Sequence, residues 1–210
     1  MDASSLYSLV KSYAQQNDTI ICVLHNAQSK IPCVNSGNFC GHPSQTAVIN
    51  FDAVKTAYCK NENIHPQLKS VDAFTHKNGQ ILFVEIKSNK NFLRYQLKQT
   101  DTEETVDEKI RQQVANYQLK KKIDNSRTVC EAISGDSHLF DTLPSIYVLV
   151  TDAETVTNPL QSIQINLNIL AYNAIYLPRL NKALEEDLDS LGHTTRLVYC
   201  QDFDKFISSL

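Results

Sequence analysis

An Asn-Gly pair between two strand-like runs constrains this chain more than any other feature. Residues 69–88 read KSVDAFTHKNGQILFVEIKS. Asn and Gly both tolerate positive φ, as a two-residue type I′ turn requires, so the segment predicts a β-hairpin whose whole loop is Asn78-Gly79. Register then follows by counting outward. Lys77 faces Gln80, His76 faces Ile81, Phe74 faces Phe83 and Asp72 faces Glu85. The side-chain period of two puts Lys87 on the face of Glu85, opposite Ser70. Directly opposed residues have Cβ atoms roughly 5 Å apart, and like charges there destabilise a sheet. A divalent cation between Asp72 and Glu85 would remove that penalty. By the same reasoning, deleting one acid should relieve the repulsion.

The rest of the chain can support such a hairpin with a core. Its 210 residues, 42% hydrophobic and 20% charged, suit one folded domain of ordinary composition. No apolar run of about 18 residues predicts a membrane span, and MDASSLYSLV does not read as a signal peptide. Six irregularly spaced cysteines predict reduced thiols and a cytoplasmic setting. The net charge of −3 is unevenly distributed. Residues 51–98 carry eight basic and four acidic side chains, a balance of +4 around the hairpin. Residues 128–210 carry four basic and eleven acidic ones, a balance of −7. A polyanionic substrate would be drawn to the first block, although charge also varies along any chain.

Periodicity predicts a helix over 4–16 with Leu6, Leu9, Val10 and Tyr13 on one stripe, then a buried strand over 19–24. Residues 28–47, with Pro32, Gly37, Gly41 and Pro43, predict a loop, and 51–59 a short helix. Residues 88–100 carry no clear signal. Asp101 and Glu104 have capping-box spacing ahead of a helix with Val106, Ile110, Val114 and Tyr117 on one face. Lys120, Lys121 and Lys122 are expected at its C-terminal end, where cations suit the dipole. Residues 145–152 and 195–200 predict strands, 160–191 a helix interrupted at Pro178, and the final residues a closing helix. Strands alternating with helices, plus one hairpin, predict an α/β fold with a mixed central sheet flanked by helices.

Asp72, then Glu85-Ile86-Lys87 on the next strand, resembles the PD-(D/E)XK nuclease superfamily, with Val71 where a proline often precedes the first acid. Gln113 and Tyr117 form a Q-x-x-x-Y pattern similar to that of the RecB-like and lambda-exonuclease-like branch. The resemblance implies a restriction-endonuclease-like core over 51–152, within one domain that has an N-terminal extension (1–50) and a C-terminal part (153–210) completing the sheet. It implies a Mg²⁺-dependent (or Mn²⁺-dependent) nuclease hydrolysing the phosphodiester bonds of DNA, in bacterial DNA processing or defence. Asp72 and Glu85, with the Ile86 carbonyl, would hold the ion, which suits a hard cation. Lys87, Gln113 and Tyr117 would act beside it. The alternative is a catalytically silent nuclease-like module that binds nucleic acid or a protein partner.

Further candidates carry weaker signals. Asp52 is an extra acid by resemblance or an N-terminal cap by position. Lys90, Arg94 and Lys98 recur at about four-residue intervals, and with Lys121 they could line a nucleic-acid groove or a solvated face. Gln113, Tyr117 and Lys121 would share a helix face at four-residue spacing. Cys22, His25, Cys33, Cys40 and His42 are zinc-capable in no standard spacing. Nucleic acid is the expected partner, a membrane is not, and a homodimer is left open.

Overall fold

The structure is a computed structural model that describes residues 1–17, 21–23, 44–89, 92–93, 96–98, 100–152 and 163–210. Of residues 21–23 and 163–175 the backbone alone is described. The chain forms α1 (Ala3–Gln16), β1 (Ile21–Val23), β2 (Ala47–Asn50), α2 (Phe51–Asn61), β3 (Ala73–Lys77) and β4 (Gln80–Lys87). It continues with α3 (Glu103–Tyr117), α4 (Leu119–Ser134), α5 (Leu139–Thr142), β5 (Ser145–Thr151), α6 (Ile163–Asp189) and β6 (Thr194–Tyr199). A 3₁₀ turn (Cys200–Asp202) leads into α7 (Phe203–Ser209).

Among the described residues the strands form a six-stranded mixed sheet in the order β1-β2-β3-β4-β5-β6. Neighbours are antiparallel as far as β4, and the β4–β5 and β5–β6 pairs are parallel. A parallel neighbour cannot be reached by a tight turn, so each of those two connections carries helices. Both faces of the central strands are buried, which is why ILFV and IYVLV read as unbroken apolar runs. One face, with Phe74, Ile81, Phe83 and Tyr147, packs against α1, α2, α3, α4 and α6. The other, with Ala73, Leu82, Val84 and Val148, packs against Phe203 and Ile207 of α7.

The hairpin forms as the turn chemistry requires. Lys77 pairs with Gln80, and the ladder runs through Phe74–Phe83 to Ala73–Val84. Asn78 and Gly79 have φ of 46° and 79°, the positive values of a type I′ loop.

Several local expectations are corrected. Residues 47–50 form β2, a strand hidden between a proline- and glycine-containing stretch and the following helix. Leu9 is exposed, and the buried stripe of α1 is Ala3, Leu6, Val10 and Ala14. Thr102 caps α3 by accepting the Thr105 N–H, while Asp101 pairs with Lys109 at 2.6 Å. The helix expected to reach Lys122 ends at Tyr117, where Gln118 adopts a left-handed conformation, and α4 starts at once. Lys120, Lys121 and Lys122 therefore lie in the first turn of a new helix, where the dipole disfavours cations. Helix α6 runs through Pro178. Cys59 and Cys130 are free and buried, but Cys200 is disulfide-bonded, so reduced thiols do not hold throughout. Irregular sequence spacing does not reveal which thiols a fold brings together. Among the described residues no helix is long and apolar enough to cross a membrane.

Candidate active site

The site begins where the β3–β4 ladder stops. Ala73–Val84 is its last pair, and one step further come Asp72 and Glu85. Asp72 holds its place through two bonds. Its carbonyl accepts the Phe51 N–H at 3.0 Å, and its carboxylate accepts the Ile86 N–H at 2.8 Å. Beyond the last ladder pair, β4 thus donates to a side-chain carboxylate in place of a backbone carbonyl of β3. Glu85 lies on the helix-covered face with Phe83, and it is 0% exposed. A ring cluster floors the site, with Phe74–Phe83 centroids 5.5 Å apart and Phe51–Phe74 centroids 5.4 Å apart.

Two lysines meet the buried carboxylate. Lys87 Nζ, from the same strand, lies 2.5 Å from Glu85 Oε1. Lys122 Nζ, from α4, lies 2.5 Å from the same oxygen. Burial pushes Glu85 up to about 7, the charge of Asp72 adds to the rise, and the two ammoniums pull against it. Burial likewise raises Asp72 against the pull of Lys87 and Lys122. Lys87 stays above its ordinary value: burial alone would lower it, but Glu85 and Asp72 outweigh that.

Lys122 meets the buried carboxylate although no sequence motif singled it out for the site. Helix α4 buries Leu119, Ile123, Ser126, Val129 and Cys130, and Lys122 falls within that inward spacing. Ser126 locks the placement. Its hydroxyl donates to the Lys122 carbonyl at 2.7 Å and accepts the Val71 N–H at 3.1 Å. One serine thus ties the helix bearing Lys122 to the residue before Asp72. A serine and a lysine on an otherwise apolar stripe were the available signal.

The other end of the site is built by α3. Tyr117 is buried, and Lys87 Nζ sits 5.5 Å from its ring centroid. The Tyr117 phenol is raised by burial, while a hydrogen bond with Gln113 and the charge of Lys87 oppose the rise. Its hydroxyl reaches Asn89 Oδ1 at 3.5 Å. Asp152, at the end of β5, fixes that neighbourhood by accepting the Ser88 hydroxyl at 2.6 Å and the Asn89 N–H at 2.7 Å. Gln113 is thus joined to Tyr117, and Tyr117 to Lys87.

Other candidates fall elsewhere. Lys121 is exposed on α4 and shares no helix face with Gln113 and Tyr117, because Gln118 breaks the periodicity. Asp52 is not the cap of α2: Asn50 is, accepting the Ala53 N–H. Asp52 pairs with Lys55 at 3.0 Å and accepts the Ser70 hydroxyl at 3.0 Å, and its charge contributes to the rise of Asp72. Lys98 is exposed, and its N–H donates to Asp101 at 2.8 Å. Lys90 and Arg94 lie outside the described residues, as do His25, Cys33, Cys40, His42 and the Cys22 side chain. Among the described residues no three His, Cys, Asp or Glu side chains converge as a metal-binding group.

The donor set still fits a hard cation. Glu85 Oε2 is buried and has no hydrogen-bond partner among the described residues. Asp72 lies one step beyond the last ladder pair, across from Glu85, and its charge adds to the rise that burial gives Glu85. Tyr147 OH, Asn89 Nδ2 and Thr151 Oγ1 are also buried without a partner among the described residues. Such groups cost free energy unless something satisfies them. Tyr147 and Thr151 pair with Phe83 and Lys87 in the parallel ladder, which places both on the face of Glu85. Compared with protein families, curated proteins and solved structures, the chain matches none.

Proposed function

We propose that this chain is a metal-dependent phosphodiesterase acting on DNA, with a restriction-endonuclease-like core. The observation that carries the reading is the buried, unpartnered Glu85 Oε2 beside Asp72 and Lys87, at the end of a hairpin whose register sets all three on one face. Asp72 and Glu85 would hold Mg²⁺ or Mn²⁺, with the Ile86 carbonyl as a third donor. The ion would supply charge neutralisation at a phosphate and activation of a water nucleophile. Lys87 is fixed by Glu85 and by the Tyr117 ring, so its ammonium can meet negative charge developing on the phosphoryl oxygens with little reorganisation. Gln113 steadies the Tyr117 hydroxyl, and the Tyr117 ring flanks the Lys87 ammonium.

The test is cleavage of plasmid and linear duplex DNA with Mg²⁺ or Mn²⁺ present. Glu85→Gln and Lys87→Met should each lower the rate about 100-fold or more while the protein stays folded. Cleavage that persists in EDTA, or that Lys87→Met leaves intact, would sink the proposal.

One observation favours the second reading, a silent module that binds nucleic acid or protein. Asp72 and Glu85 already have two ammoniums facing them, so the opposed acids do not need a metal to balance their charge. On that reading neither DNA cleavage nor divalent-ion binding is expected.

A further inference from the structure

The two lysines on Glu85 are not equivalent. Lys87 is rooted in the strand two residues from Glu85, and its ammonium is flanked by the Tyr117 ring. Lys122 comes from a separate helix on a flexible four-carbon stem, its backbone tied down through Ser126 and its ammonium held by Glu85. Its side chain is 15% exposed, so a route toward solvent exists. Both ammoniums crowd a single oxygen, Oε1, while Oε2 of the same carboxylate has no partner among the described residues.

Charge counting makes the crowding meaningful. Asp72 and Glu85 against Lys87 and Lys122 sum to zero when all four are ionised. A divalent cation would leave an excess of +2 in a site that is largely out of water. Like charges at that range repel strongly. The cheapest relief is for the more mobile ammonium to leave.

We propose that Lys122 is an internal counter-ion that competes with a divalent cation for Glu85. Loading of the ion releases the Lys122 ammonium from Oε1, and Lys122 is then a free cation at the rim of the site. This inference rests on the metal-site reading above and deepens it: metal entry is coupled to movement of one named side chain.

The experiment measures metal binding without any nucleic acid. Mn²⁺ affinity is read by calorimetry for the wild type, Lys122→Met and Lys122→Arg. Removing the competing charge should tighten Mn²⁺ binding about tenfold in Lys122→Met, which corresponds to ~1.4 kcal/mol. Lys122→Arg should stay near wild type or bind more weakly, because a guanidinium can hold the carboxylate with two donors. Equal or weaker binding by Lys122→Met would overturn the counter-ion role while leaving the metal site standing. If neither wild type nor Lys122→Met binds Mn²⁺, the metal-site reading fails and this inference with it. Lys122→Met could unfold, so a second measurement uses the wild type. The ¹⁵N side-chain signal of Lys122 is followed during Mg²⁺ titration. A shift to that of a solvated ammonium supports release, and a Lys122 signal unmoved at saturating Mg²⁺ overturns it.

Discussion

Glu85 sits in an otherwise apolar strand, and its two lysine partners decide what that position costs. A repulsion argument alone says that deleting either acid should leave the protein as stable or more so. The structure reverses that expectation for Glu85. Lys87 and Lys122 both end on its carboxylate and are only 21% and 15% exposed. Glu85→Ala would leave two half-desolvated ammoniums with Asp72 as the one acid facing them. Breaking a buried pair by removing one partner costs about 3–5 kcal/mol, a large share of the stability of a domain this size. Urea denaturation of the metal-free protein should show a loss in that range. Glu85→Gln should lose less, because the amide oxygen still accepts from one lysine. The double change Glu85→Ala with Lys122→Met should lose less than the two single changes added together. An alanine variant as stable as wild type would restore the simple repulsion picture.

At the scale of elements, Gln118 matters most to how the site is assembled. It ends α3 and begins α4 in a left-handed conformation with φ of 52°. Glutamine gains nothing local from that conformation, whereas glycine enters it at no steric cost. Gln118→Gly should therefore raise stability by about 0.5–1 kcal/mol, with Lys122 still placed on Glu85. Thermal unfolding checks this, and a lower midpoint would mean the Gln118 side chain contributes more than its backbone costs. The same residue explains what the sequence could and could not reveal. The hairpin was legible because Asn78-Gly79 is local chemistry, and counting from it set Asp72, Glu85 and Lys87 on one face. The stripe of Val106, Ile110, Val114 and Tyr117 was legible because all four positions obey one period. Lys122 was not legible, because its position depends on a helix break at a residue with no intrinsic reason to break one. β2 was obscured by its length of four residues. The caps were misplaced by one or two positions, because Asn50 and Thr102 compete with nearby acids that found partners elsewhere.

At the scale of the whole molecule, one carboxylate near the C-terminus joins two segments far apart in sequence. Asp204, in the first turn of α7, accepts the Ser44 hydroxyl at 2.5 Å, the Thr46 hydroxyl at 2.6 Å and the Gln45 N–H at 2.8 Å. The first of these spans 160 positions of sequence. Through it the approach to β2 is fastened to the helix covering the second sheet face, where Phe203 and Ile207 pack on Val84 and Val148. Burial would push Asp204 up, but the two hydroxyls and the backbone N–H groups hold it below 3.8. The sign of the pH effect follows. A carboxylate depressed by folding adds stability above its unfolded value, and that stability is lost as pH falls through the folded value. The contribution of Asp204 should be fully present at neutral pH and disappear only below about 4. Asp204→Asn should lower stability at pH 7 by about 1–2 kcal/mol and reduce the loss seen on acidification. Denaturation curves of the two proteins from pH 7 to pH 2.5 provide the check, and the gap between them should close at the acid end. A gap that stays constant over that whole range would mean that Asp204 acts through shape, and that its charge does not fasten residues 44–46 to α7.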